Sequence, residues 1–258
     1  MKITLGQYLP IRSPVHSLDP RVKFFLMALG IGAVFQIDQR IALGCFALIC
    51  LIITLIAKIP IARLFSGLVP FIWLFFFTAI LHVFMTPGDP IPWIPHATMQ
   101  GLHGGIRVGL QLVFAIWIST LMTLTTSPLD MVWAMEWFLK PLAYLKVPVD
   151  EIALLVMLAI RFVPILFEET DRIIKAQKAR GVDLESGGLI KRVRSLVPVV
   201  VPLLYGVFRR ADDLAIALTL RGYTPGLKRS RMKTRKAGAA DIGALIVTSA
   251  IFVTFIWL

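Results

Sequence analysis

The sequence predicts an all-α polytopic membrane protein, with about five transmembrane helices and a cytoplasmic domain of long amphipathic helices. Three observations predict it. Hydrophobic residues make up 57% of the 258, and the mean hydropathy is +0.81, which ordinary soluble domains do not reach. Five apolar stretches, at 22–37, 41–57, 67–85, 104–126 and 242–258, approach the roughly 17 to 25 residues that cross a hydrocarbon core. Between the fourth and fifth, apolar residues recur at helical spacing among charges instead.

These patterns divide the chain into 1–126 (N-terminal segment and transmembrane helices 1–4), 127–238 (the cytoplasmic helices) and 239–258 (a C-terminal transmembrane helix). The opening "MKITLGQYLPIRSPVHSLDPRVK" is polar and broken by prolines. It lacks a short apolar core followed by small residues, so no cleaved signal is expected and the N-terminus stays on. Lys2, Arg12 and Arg21 precede the first span, Lys23 stands at its start, and Lys58 and Arg63 follow the second. The loop 86–104 has Asp89 and no Lys or Arg, whereas 19 of the 27 Lys and Arg fall within 127–238. The positive-inside rule then predicts a cytoplasmic N-terminus and an outside C-terminus. Cys45 and Cys50 lie in the second span on different helix faces, which predicts lipid-facing or core residues and neither a disulfide nor a metal pair. Gly105 and Gly109 have the GxxxG spacing that would let another helix approach the start of the fourth span closely, with chance spacing in a glycine-rich loop end as the equal alternative.

After the fourth span, Pro128, Pro141, Pro148 and Pro164 divide or kink the helical pattern. Ile152, Leu155, Val156, Ala159, Ile160 and Val163 form one apolar face. That helix is predicted to end at Gly181, which accepts a left-handed backbone, with Arg180 in the last turn. A second block, with Pro198 and Pro202 early in it, ends the same way at Arg221 and Gly222. One offset of 41 residues pairs Phe167 with Phe208, Asp171 with Asp212, Ala176 with Ala217, Arg180 with Arg221 and Gly181 with Gly222. The two arginines either cap their own helices or contact a partner. "TPGLKRSRMKTRKAGAAD" then supplies a turn and a basic linker that anchors the last span from the cytoplasm. A basic block of this kind also suits anionic lipid headgroups.

Several chemistries are missing. There is no GxxxxGK[ST] phosphate loop, so the chain holds no ATP in that way. His16, His82, His96 and His103 form no metal-ligand pair, which predicts structural or interfacial roles. Glu168–Glu169 and Asp212–Asp213 are candidate metal carboxylates, but helix-surface charge is the simpler reading. Ionisable residues inside the spans are scarce, which argues against a proton relay. The basic residues are interleaved with Asp and Glu and lack a stacking-aromatic module, which argues against nucleic-acid binding.

Three stretches carry a family resemblance: "SPVHSLDPRVKFF", "RFVPILFEETDRIIKAQKARG" and "RRADDLAIALTLRGY". With the spacing of the spans, the sequence resembles the transmembrane T component of energy-coupling factor (ECF) transporters, the EcfT, CbiQ and BioN type. The resemblance implies a bacterial or archaeal cell-membrane scaffold for vitamin or metal-ion uptake, non-catalytic and without a cofactor of its own. Partner ATPases would bind ATP and Mg. Two such subunits would each receive one helix end, Ala179, Arg180 and Gly181 in one case and Leu220, Arg221 and Gly222 in the other. Leu220 departs from the family's alanine. Arginine would supply a planar donor for an acidic partner, and glycine the room for close approach. A membrane-embedded, substrate-binding S component is expected against Ile152, Leu155, Val156 and Ala159 and against Leu196, Val200 and Leu204. Two rivals stand beside this: a polytopic enzyme of lipid or isoprenoid metabolism using the carboxylate pairs with a divalent metal, and a conventional importer permease, against which the paired Arg-Gly ends argue.

Overall fold

The computed structural model describes residues 8–90, 97–182, 188–227 and 238–257. Among the described residues every regular element is helical. The chain forms two compact units, one of Met1–Trp137 with Lys233–Leu258 and one of Phe138–Met232. His96 and most of the basic linker lie outside the described residues.

The first unit holds α1 (Pro14–Ser17), α2 (Pro20–Gln36), α3 (Arg40–Ala57), α4 (Ile61–Leu68), a 3₁₀ turn (Val69–Phe71), α5 (Ile72–Met85), α6 (Met99–Thr125) and most of α7 (Pro128–Leu139). The second holds a 3₁₀ segment (Lys140–Leu145), α8 (Val149–Ala179) and α9 (Leu189–Leu220), after which α10 (Ala239–Trp257) returns to the first. The apolar run expected at 67–85 begins earlier: α4, the turn and α5 make one stretch, Ile61–Met85, of 25 residues. Pro70, which has no amide to donate, falls in the turn between the two helices. The next span also starts earlier than expected, at Met99, because the Thr98 hydroxyl caps it by accepting from Gly101 N at 3.1 Å. These two helices are long and apolar enough to cross a bilayer. With 17, 18 and 19 residues, α2, α3 and α10 measure about 26 to 29 Å, close to the ~30 Å core.

Small residues set the closest helix contact. A Cβ on Gly101 would collide with the backbone of His82 and Val83, and one on Gly105 would press on Ala79 O and Cα at 3.1 and 3.2 Å. The GxxxG pair that seats α6 on α5 is therefore Gly101 with Gly105. The expected pairing of Gly105 with Gly109 is corrected, since a Cβ on Gly109 meets nothing within 4 Å.

The segment 19–23 ties three helices at one end of this unit. Asp19 caps α2 by accepting from Arg21 N at 2.9 Å. Its own N–H donates to Asp241 Oδ1 of α10 at 2.7 Å, while Asp241 Oδ2 accepts from Gly238 N at 2.7 Å. Lys23, buried, donates from Nζ to Thr125 O at 2.9 Å and His16 O at 3.2 Å. Leu9 N donates to Leu124 O at 3.0 Å. The C-terminal carbonyls of α6, which its own helix cannot satisfy, thus receive a backbone donor and a cation, the charge that complements the helix dipole there.

At the other end, Gln111 Nε2 of α6 donates to Ile37 O at 3.0 Å and Arg107 pairs with Asp38 at 2.7 Å. Midway, Trp117 Nε1 donates to the buried Thr54 Oγ1 at 3.1 Å, and that hydroxyl donates to Cys50 O at 2.7 Å. Cys45 and Cys50 are free thiols, the first exposed and the second buried. A cavity of about 410 Å³ lies between α2, α3, α6 and α10, lined by residues that include Leu26, Gly30, Phe46, Cys50, Ile118 and Val247.

In the second unit α8 and α9 run for 31 and 32 residues. The expected divisions fall at Pro128, which opens α7, at Pro141, early in the 3₁₀ segment, and at Pro148, which precedes α8. Pro164, Pro198 and Pro202 lie inside the two long helices, each removing one amide donor from the ladder.

Candidate functional site

The two long helices end in the same backbone motif. Arg180 is the C-cap residue of α8, one position beyond the last turn in which the sequence places it, and Gly181 follows at φ +84°. Gly181 N donates to Lys178 O at 3.0 Å, and Val182 N to Gln177 O at 3.0 Å. That is the Schellman arrangement, in which a left-handed residue folds the chain back to satisfy the last carbonyls. On α9, Arg221 is the C-cap and Gly222 has φ +71°. Gly222 N donates to Thr219 O at 3.0 Å and Tyr223 N to Leu218 O at 2.9 Å, the same pair of bonds. A Cβ on either glycine would meet nothing within 4 Å. Within this chain, glycine is required by backbone angle and not by space.

Both arginines are exposed. Ala179 and Leu220 are exposed too, and Leu220 at 83% presents a large apolar side chain where the first end has a methyl group.

Two polar ties hold α8 and α9 together. Arg210 Nη2 donates to Glu169 Oε2 at 2.5 Å, both side chains about one-third exposed. Gly226 N, just beyond the α9 end, donates to Glu151 Oε1 at 2.9 Å in the first turn of α8. The later part of α9 therefore runs back along the earlier part of α8. Arg180 stands eleven residues past Glu169, and Arg221 eleven past Arg210, so each end lies about 17 Å from the ion pair at 1.5 Å per residue. Because the directions oppose, the two arginines are on the order of 30 Å apart.

The apolar candidates stand open: Leu155 is 64% exposed and Leu204 49%. Ile152, Val156, Ala159, Leu196 and Val200 are exposed as well. Val149 and Ala153 in the first turns of α8 and Val199 of α9 are buried, so the open residues neighbour covered ones on the same helices.

The carboxylate pairs are not drawn together. Glu169 is committed to Arg210, and among the described residues no group of three His, Cys, Asp or Glu is placed to hold a metal ion. His82 Nδ1 lies 3.0 Å from Thr78 O, and His16 Nδ1 lies 2.7 Å from Ser13 Oγ. The His16 pKa is held below the ordinary histidine value, by burial first and the nearby Lys23 cation second.

Sequence reasoning missed the Glu169–Arg210 tie, although the signal was present. The offset of 41 that aligns the helix ends also aligns Phe167-Glu168-Glu169 with Phe208-Arg209-Arg210, acids against bases.

Residues 12–234 match the CbiQ family of cobalt transport proteins. The energy-coupling factor transporter transmembrane protein EcfT of Thermanaerovibrio acidaminovorans is 43% identical over 235 residues, covering 90% of this chain and 87% of that protein. The EcfT of Thermosediminibacter oceani is 39% identical, with 99% of each chain covered. That of Bacillus subtilis is 38% identical, with 96% of each covered.

Proposed function

This chain belongs to the CbiQ family of transport proteins, and on that premise we propose that it is the coupling scaffold of an ECF-type importer for a vitamin or metal ion. Its apolar helices place it in a membrane. Alanine, arginine and glycine at 179–181 and leucine, arginine and glycine at 220–222 each enter a groove on one of two cytoplasmic ATPase subunits. Those subunits bind ATP and Mg, and this chain contributes no cofactor and no catalysis. The observation that carries the reading is the pair of matching Schellman ends, each with an exposed arginine, on opposite sides of one ion pair. A rigid helix end delivers a fixed fork of donors, and a separation on the order of 30 Å suits two receivers.

The open stripes through Ile152, Leu155, Val156 and Ala159 and through Leu196, Val200 and Leu204 hold the S component, which carries substrate specificity. The basic block 127–238 faces the cytoplasm, with the N-terminus inside and the C-terminus outside, and its cations also meet anionic headgroups.

The test is co-purification of the tagged chain from its native membrane beside Arg180→Glu, Arg221→Glu and the double variant. Wild type is expected to bring two ATPase copies and a small membrane protein, and the double variant to lose the ATPases. Burying an arginine against an acidic partner makes each reversal cost about 2 to 5 kcal/mol of assembly or more. Recovery of no ATPase by wild type, or unchanged recovery by the double variant, overturns the reading.

A further inference from the structure

We propose that the Glu169–Arg210 pair is the pivot through which displacement of one arginine end reaches the other, so that both are positioning residues for coupling. The inference rests on the scaffold reading above. If α8 and α9 are equivalent under the offset of 41, residue 169 corresponds to residue 210. Their contact is then its own counterpart, the one place where an approximate two-fold relation brings a position against itself. Identical side chains would meet there as like charges. Here the sign is inverted instead: α8 carries Glu168-Glu169 and α9 carries Arg209-Arg210. Only the second member of each pair makes the contact; Glu168 and Arg209 are exposed.

The levers about this point are equal. Eleven residues separate each arginine from its member of the pair, and the Glu151–Gly226 bond fixes the opposed direction. Because the helices are tied at two points, Glu169–Arg210 and Glu151–Gly226, a rotation of one carries the other with it, and the equal levers move both ends by similar amounts. An ion pair one-third exposed contributes little to overall stability. Its geometry, one guanidinium N–H on one carboxylate oxygen, constrains where the helices touch more than how tightly.

The experiment uses the complex that copurifies with the tagged chain, reconstituted in host-lipid liposomes. Spin labels go on Lys175→Cys and Ile216→Cys, in a Cys45→Ala, Cys50→Ala background. These two sites are exposed and related by the same offset. The distance between labels is measured with ADP and with Mg-ATP under turnover. Wild type is expected to show a nucleotide-dependent shift. Glu169→Arg and Arg210→Glu should each reduce that shift by about threefold or more while retaining both ATPases, and the double swap should restore it, the signature of a pairwise coupling. Glu168→Arg, one residue away, should leave it unchanged. A wild-type complex that holds both ATPases but shows no shift, single reversals that shift as wild type does, or a double swap that fails to restore, overturns the pivot. A wild-type chain that recruits no ATPase is a different outcome, which removes the scaffold reading and the pivot with it.

Discussion

Replacing Gly181 by alanine separates two reasons for the glycine. At φ +84° with open space around it, the new methyl group meets no atom, so its cost comes from the backbone alone. For a residue with a Cβ, the left-handed region costs about 1 to 2 kcal/mol. The loss is local, because the helix end frays without unfolding the rest. It falls on the two bonds that the motif makes, Gly181 N to Lys178 O and Val182 N to Gln177 O. Amide exchange over 177–182 should therefore accelerate roughly 5- to 30-fold, with the thermal midpoint of the whole chain unmoved. Asparagine tolerates the left-handed region better, so Gly181→Asn should restore much of the protection. Hydrogen exchange by mass spectrometry on the purified chain reads both variants. An alanine variant with wild-type exchange, or an asparagine variant no better than alanine, refutes the backbone argument. In the assembled complex the same asparagine tests the other reason: a kept cap with lower ATPase recovery means that the partner also needs the space.

Gly101→Ala should lower the thermal midpoint of the detergent-extracted protein, at about 1 to 3 kcal/mol for overpacking, while Gly109→Ala, in open space inside the same helix, should hold or raise it. Lys23→Met strips the buried Thr125 carbonyl of its cation and should cost about 1 to 3 kcal/mol, again read as the midpoint. Asp241→Ala, which removes the acceptor of Asp19 N, should release α10 and expose its residues to protease. Because the His16 pKa is depressed in the folded chain, its neutral form favours folding. Stability should be full above the ordinary histidine value, fall as pH drops below it, and level off below the depressed folded value. A midpoint titration from pH 8 to 5 checks this, and His16→Asn should flatten it.

The apolar runs were legible because a helix in hydrocarbon must be both long and oily, and composition alone records that. The helix ends were legible for a different reason: a glycine after a long periodic stretch has few other uses. What stayed hidden depends on partners far away in sequence. Nothing near Gly101 says that His82 and Val83 will lie across it, so the GxxxG was placed one step too late at Gly105 and Gly109. Asp19 and Lys23 read as flanking polar residues, whereas their work is done on Asp241 and Thr125. Glu169 was weighed as a metal carboxylate because acids were compared with neighbouring acids, and the comparison that mattered lay 41 residues away.

The bond from Asp19 N to Asp241 spans 222 residues. A ribosome extending the chain at about 5 to 20 residues per second presents the first helix roughly 10 to 40 seconds before the carboxylate that finishes it. During that interval α2 has its own cap but not its neighbour, and the cavity bordered by α10 stands open along one wall. The helix made latest thus closes a wall whose other sides, α2, α3 and α6, are laid down well before it.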